Sequence, residues 1–336
     1  MKNSSDNPQL PTTDEELPSG AFQVIREEIP ALRDLLGLNL NRRGFTKFPS
    51  PNILAQSSGI KDVLFLAIDI EGETCQPTLP EEYQLGISIL DTRHLQTLIS
   101  KHLSLYSEQN TDGDDDETEL RNILQTYNLC HGSPTYCLKA QRKLLFGSAE
   151  ELAPAEMNAK IQTLIAGRDV ILVVHCGTND LRFLDRLEIP IQPLYTLDTQ
   201  KTAQNPLTLV KRPSLESLQT TLEIPFVSKS LHTGGNDANY TLRSLLMTAV
   251  KDSEGEEGLS REQIALLGVL RGIARVKISE DRIRQSQGVQ KVQGKGRLAR
   301  LEAKRRKKER KAVRKLAREN GTEEGEGEDE EVSEES

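Results

Sequence analysis

Asp69 and Glu71 stand two residues apart at the end of an apolar run, Asp62–Ile70 (DVLFLAIDI). On an extended strand residues i and i+2 point to the same side, so both carboxylates face one site. Two adjacent carboxylates repel each other unless a cation lies between them. Hard oxygen ligands of this kind suit Mg²⁺ or Mn²⁺. Taken alone, the pair also reads as a solvated strand end. Two further patches carry similar chemistry. Asp180 follows a second apolar run, 169–175 (DVILVVH), and stands at the start of the next helix. His232 and Asp237 bracket the stretch TGGN, with four residues between them, and Asp237 opens a helix. Each has a plain structural reading in isolation: an acid in a first helical turn is a cap, and a histidine before Gly-Gly is a loop residue.

Chemistry of this kind needs rigid elements to hold it. The run 62–70 is nearly continuous and apolar, the pattern of a central strand covered on both faces. Residues 82–92 (EYQLGISILDT) read as a second strand with no helix between, so the two form an antiparallel, hairpin-type unit. Residues 133–139 (SPTYCLK) are a candidate third strand, 169–175 a buried strand and 193–199 (PLYTLDT) a short one. Helical spacing marks 21–38 (broken by Pro30), 153–167, the segment from Thr178, 214–224, 236–250 and 259–278. The acidic stretch 107–119 is expected to be a flexible surface loop. This order argues an α/β domain over roughly 60–252, built on one mixed sheet flanked by helices. Around it lie a mostly disordered segment with a short helix (1–59), an additional helical segment (253–285), a basic helical arm (286–320) and an acidic disordered tail (321–336).

The net charge of −8 divides unevenly. From Val289 onward the chain carries 14 Lys/Arg and 12 Asp/Glu, which leaves −10 on the first 288 residues. A basic block backed by an acidic one hints at nucleic-acid contact. Lys304, Arg305, Arg306, Lys307, Lys308, Arg310 and Lys311 form its densest part. They read as sequence-independent phosphate contacts, as a solvated charged helix, or as a nuclear import address. No run of about 18 apolar residues exists, so no membrane partner is expected. The N-terminus lacks the apolar core of a secretory signal. Cys75, Cys130, Cys137 and Cys176 have no paired framework spacing, so free thiols and an intracellular setting, nucleus or cytoplasm, are expected. Neither Cys176 as a nucleophile nor Cys130-His131…Cys137 as a zinc site has a matching partner set. His175 is expected to be a neutral, hydrogen-bonded structural residue.

Together the three acidic patches resemble the DEDDh branch of the DnaQ-like exonucleases, which have an RNase H-like fold. The resemblance rests on Asp69-x-Glu71, on His175-Cys176-Gly177-Thr178-Asn179-Asp180, on Asp198-Thr199, on Ser214-Leu215 followed by Leu218, and on His232-x4-Asp237-Ala238. YQLGISILDT fits the family's second strand. The sister branch has Tyr four residues before its last Asp, where this chain has Thr233. Two positions depart from the pattern: Gly72 stands where the family has Thr or Ser, and Cys176 where it has Asn. NDANYTLRSLL and FGSAEEL resemble a fungal subgroup that includes the exonuclease-like partner of Argonaute in quelling and an mRNA-export-related relative.

The resemblance implies a five-stranded mixed sheet and a metal-dependent 3′→5′ exonuclease acting on single-stranded nucleic acid, RNA ahead of DNA. It implies two divalent cations, Mg²⁺ or Mn²⁺. Asp69, Glu71 and Asp237 would hold one, and Asp69 with Asp180 the other. His232 would be the general base, and the Gly234-Gly235 turn would let its loop approach the substrate. A protein partner in RNA silencing or export follows from the subgroup. The competing reading is a catalytically inactive scaffold of the same fold that binds nucleic acid through the arm.

Overall fold

The computed structural model describes residues 27–39, 59–73, 76, 78–105, 113–286 and 305–307, the side chains of 104, 105 and 113–117 excepted. The expected disordered N-terminus, most of the 39–59 loop region, the acidic tail and the basic arm other than Arg305–Lys307 lie outside the described residues. Those three arm residues are helical and exposed. Among the described residues no helix is long and apolar enough to cross a membrane.

The apolar run becomes strand β1 (Leu64–Gly72). It pairs antiparallel with β2 (Tyr83–Asp91), with Asp69 opposite Gly86 and Glu71 opposite Gln84. On its other side it pairs parallel with β5 (Val170–Val174), which in turn pairs parallel with β6 (Tyr195–Asp198). β2 pairs antiparallel with β3 (Gln125–His131), and β3 pairs parallel with β4 (Ser148–Glu151). The sheet order is β4-β3-β2-β1-β5-β6. The mixed sheet flanked by helices is as expected. It has six strands rather than five, because the four-residue β4 adds a short edge strand.

Two assignments change. Residues 133–139 are not a strand but the start of helix α4 (Pro134–Lys143). Ser133 caps it by accepting the Tyr136 N–H, and Pro134 occupies its first turn. A Ser-Pro pair of this kind starts a helix because the ring presets φ and needs no donor there. The third strand lies earlier, in QTYNLCH, where apolar positions alternate too weakly to announce it. The acidic stretch 107–119 is also not all loop: helix α3 (Gly113–Asn122) begins inside it. The other helices are α1 (Glu28–Leu35, with Pro30 in its first turn), α2 (Thr92–Leu105), α5 (Pro154–Ile165), α6 (Thr178–Arg186), α7 (Thr199–Thr202), α8 (Leu215–Thr221), α9 (Gly234–Ser253) and α10 (Arg261–Arg275).

Strand alternation assigns the two layers. Leu64, Leu66, Ile68 and Ile70 of β1 pack with Met157 and Ile161 of α5 and Phe183 and Leu184 of α6. Phe65 and Ala67 face the opposite way, onto Ala238, Leu242 and Leu245 of α9. α9 is buried along nearly its whole length between the sheet and α10, and α10 shares the same core, as does α1. Asp69 and Glu71 continue the α9-facing row of β1, so the register alone delivers both carboxylates to the first turn of α9.

That delivery needs two backbones to touch. A Cβ at Gly86 would lie 1.8 Å from the Gly234 carbonyl carbon, and one at Gly234 would lie 2.8 Å from the Gly86 nitrogen. A Cβ at Gly235 would lie 3.0 Å from the Asn128 Cβ. The Gly-Gly pair therefore serves helix-on-sheet packing. Gly86→Ala is expected to lower stability by about 3 kcal/mol or more. Urea unfolding checks this, and an unchanged midpoint would refute the contact.

A candidate active site of four carboxylates and a histidine

β1 brings Asp69 and Glu71 from the sheet, α9 brings Asp237 from one layer, and α6 brings Asp180 from the other. Asp180 sits in the first turn of α6 and accepts a hydrogen bond from the Ile70 backbone. Glu71, His232 and Asp237 offer ligand atoms that all lie within 4.8 Å of one another. The Asp237 Oδ2 accepts the His232 N–H at 2.8 Å, and the His232 Nδ1 lies 3.5 Å from Glu71 Oε1. The imidazole itself is 88 % exposed and stands at the rim. His232 has φ +62°, a left-handed backbone that points its N–H back at Asp237.

The electrostatics of the cluster are those of acids crowded together. Burial pushes the Asp69 carboxyl well above its usual range, and the charges of Asp237, Asp180 and Glu71 add to that. Burial raises Asp180 to about 7, against the Ile70 backbone donor, with Glu71 adding to the rise. Burial and Glu71 raise Asp237 to about 8, while the His232 and Thr233 backbones pull it down. Among the described residues no Lys or Arg forms an ion pair with these four acids. Among the described residues neither Asp69 Oδ2 nor Asp237 Oδ1, both buried, finds a hydrogen-bond donor. A buried carboxylate oxygen without a donor is costly. A divalent cation removes that cost, and a set of carboxylate oxygens is its natural donor set. The residues present therefore fit a metal centre.

All five sequence-derived site residues thus meet at one end of β1. The tightest geometric group is Glu71, His232 and Asp237, whereas Asp69 and Asp180 join through their charges. Of the basic-arm residues only Arg305, Arg306 and Lys307 fall among the described residues, and the others lie outside them.

Supporting residues were less visible in the sequence. Asn128 of β3 accepts the Gly235 N–H at 2.8 Å, and Asn236 accepts the Leu145 N–H at 2.8 Å while donating to the Lys143 and Ser230 carbonyls. These buried amides fix the first turn of α9. A polar residue in the middle of a strand was the signal for Asn128, and the weak pattern of β3 hid it. Asp198 caps α7 and also accepts the Cys176 N–H at 3.2 Å. Thr199 Oγ1 lies 2.8 Å from His175 Nδ1, and burial drops the His175 pKa to about 4. His175 is thus neutral and hydrogen-bonded.

The two departures have backbone consequences. Gly72 has φ +148°, with the Tyr83 Cβ 3.1 Å from where its own Cβ would be. A Thr or Ser there would be strained. Cys176 has φ +61°, a region that Asn tolerates better than Cys. Cys130 and Cys137 are free and buried together, and burial pushes both thiols up.

The family described as DNA polymerase III subunit epsilon-like, C-terminal domain (DEDDh_C) matches residues 64–248, more than half of the chain. The matched span begins with β1 and ends inside α9, so it contains all five site residues. Comparison with curated proteins gives no match.

Proposed function

The chain belongs to the DEDDh family of DnaQ-like exonucleases, and on that premise we propose that it removes nucleotides in the 3′→5′ direction from single-stranded nucleic acid, RNA ahead of DNA. The observation that carries this reading is the pair of buried, donorless carboxylate oxygens on Asp69 and Asp237, set beside Glu71 and within the field of Asp180. In this proposal Asp69, Glu71 and Asp237 hold one divalent cation, and Asp69 with Asp180 holds a second, Mg²⁺ or Mn²⁺. The cations supply neutralisation of the charge that develops on the phosphoryl group.

The chain's own residues do the rest. His232 carries its imidazole into solvent beside the carboxylates, where an attacking water would approach. With Nδ1 protonated toward Glu71, Nε2 is the acceptor that takes the proton from that water. Asp237 holds the histidine loop through its backbone N–H. Thr199 and Asp198 hold the loop before Asp180 from the other side. The basic arm, Lys304 to Lys311, adds phosphate contacts without sequence preference. The 3′→5′ direction and the two-cation arrangement are supported by the motif resemblance. A partner in RNA silencing or export is supported by the likeness of NDANYTLRSLL and FGSAEEL to the fungal subgroup. The free thiols of Cys130, Cys137 and Cys176 support an intracellular setting, nucleus or cytoplasm.

The test uses one single-stranded sequence in linear and circular form with Mn²⁺. Linear strands are expected to shorten to mononucleotides while circles persist. Circles cut as fast as linear strands would replace the exonuclease by an endonuclease.

A further inference from the structure

A cavity of about 440 Å³ lies against β3, two strands across the sheet from the strand that carries Asp69 and Glu71. Gln125 on its wall pairs with Ile89, which pairs with Leu66, three residues up β1 from Asp69. Four cations line it: Arg121 of α3, Arg243 of α9, and Lys277 and Arg282 beyond α10. Among the described residues no carboxylate lines it, although the chain as a whole is acidic.

Arg243 is the unusual member. It is 2 % exposed, yet among the described residues no carboxylate pairs with it. Its Nη1 donates to the Val276 carbonyl at 3.0 Å, and its guanidinium lies over the Phe146 ring, 4.6 Å from the centroid. Among the described residues its Nε has no hydrogen-bond partner. Burial lowers its pKa to about 10, opposed by Tyr240 and aided by the nearby Arg121 charge, so it remains a cation at neutral pH. One turn earlier, Asn239 is 1 % exposed and its Oδ1 is likewise without a partner. A buried cation without an anion is expensive to keep.

We propose that this cavity is a second binding site, one that takes the phosphate group of a nucleotide-sized molecule. Arg243 forms its floor, and Lys277 and Arg282 its rim. The guanidinium fork matches phosphate oxygens, and several cations around one point favour a multiply charged anion. The volume lies within the range of small-molecule sites and exceeds what a bare ion fills. Apolar walls from Leu124, Leu145 and Ile278 leave room for the body that carries the phosphate. That phosphate belongs either to a free mononucleotide or to a nucleotide within a strand. The site does not depend on the exonuclease reading, since it shares no residue with the carboxylate cluster.

The experiment is calorimetric titration of the full chain in EDTA with inorganic phosphate, a 5′-mononucleotide and a short single-stranded oligonucleotide. Without metal the carboxylate cluster repels all three probes. The comparison is the double variant Lys277→Glu, Arg282→Glu, whose altered side chains reach solvent, with its melting temperature measured beside the wild type. Binding of the mononucleotide is expected to weaken by about tenfold or more, at unchanged melting temperature. If only oligonucleotide binding weakens, the phosphate comes from a strand, and the site stands. If no probe binds the wild type, or the variant binds all three as tightly, the proposal is wrong.

Discussion

Asp69→Asn is expected to lower the rate of nucleotide release by about 10³-fold or more while making the metal-free protein more stable. Asp69 belongs to both proposed cation sites, so the amide weakens both. Charge stabilisation by bound cations is worth several kcal/mol in phosphoryl transfer, and each factor of ten is roughly 1.4 kcal/mol. The stability gain has the same origin with opposite sign. The ionisation of Asp69 is opposed by burial and by the charges of Asp237, Asp180 and Glu71. An uncharged isostere removes that opposition. At pH 8 in EDTA the melting temperature is expected to rise by about 3 °C or more. A variant that keeps full activity, or that melts below the wild type, would contradict the assignment.

Stability without metal is expected to fall as pH rises through neutrality. Asp180 titrates at about 7 and Asp237 at about 8 in the folded protein, against an ordinary value of 3.8. Between those values the folded chain binds protons that the unfolded chain has released, so unfolding becomes easier with rising pH. The penalty begins above pH 4, grows to about pH 8 and then levels off. For Asp180 alone, the step from 3.8 to about 7 sets an upper limit of about 4 kcal/mol. Solvent at the Glu71 and His232 rim screens part of it. Saturating Mg²⁺ or Mn²⁺ replaces the protons and removes the penalty, so the stabilisation by metal grows with pH. Unfolding midpoints at pH 5.5 and 8.5, with EDTA and with Mn²⁺, check this. A metal effect equal at both pH values would show that these carboxyls do not hold the ion.

The site was more legible than the fold that holds it. The period of two along DVLFLAIDI placed Asp69 and Glu71 on one side without any knowledge of their neighbours. The register of β1 then left them only the α9 face to meet. What the sequence did not disclose was the reason for Gly86 and Gly234, because a contact between two backbones leaves no periodic trace. β3 was hidden because QTYNLCH carries buried Asn128 and Thr126 where a strand pattern calls for apolar residues. SPTYCLK looked extended from its Tyr and Cys, while its Ser-Pro start decided for a helix. Arg243 escaped notice for a related reason: within an amphipathic helix an arginine reads as the solvent side, and only tertiary packing shows it inside.

The most direct measurement follows a 5′-labelled single-stranded RNA and its DNA counterpart with the purified full chain, in Mg²⁺, in Mn²⁺ and in EDTA. A ladder that shortens from the 3′ end, requires the metal and runs further on RNA is expected. An absence of metal-dependent shortening on either strand would contradict the exonuclease reading, and would leave the fold as a nucleic-acid-binding scaffold.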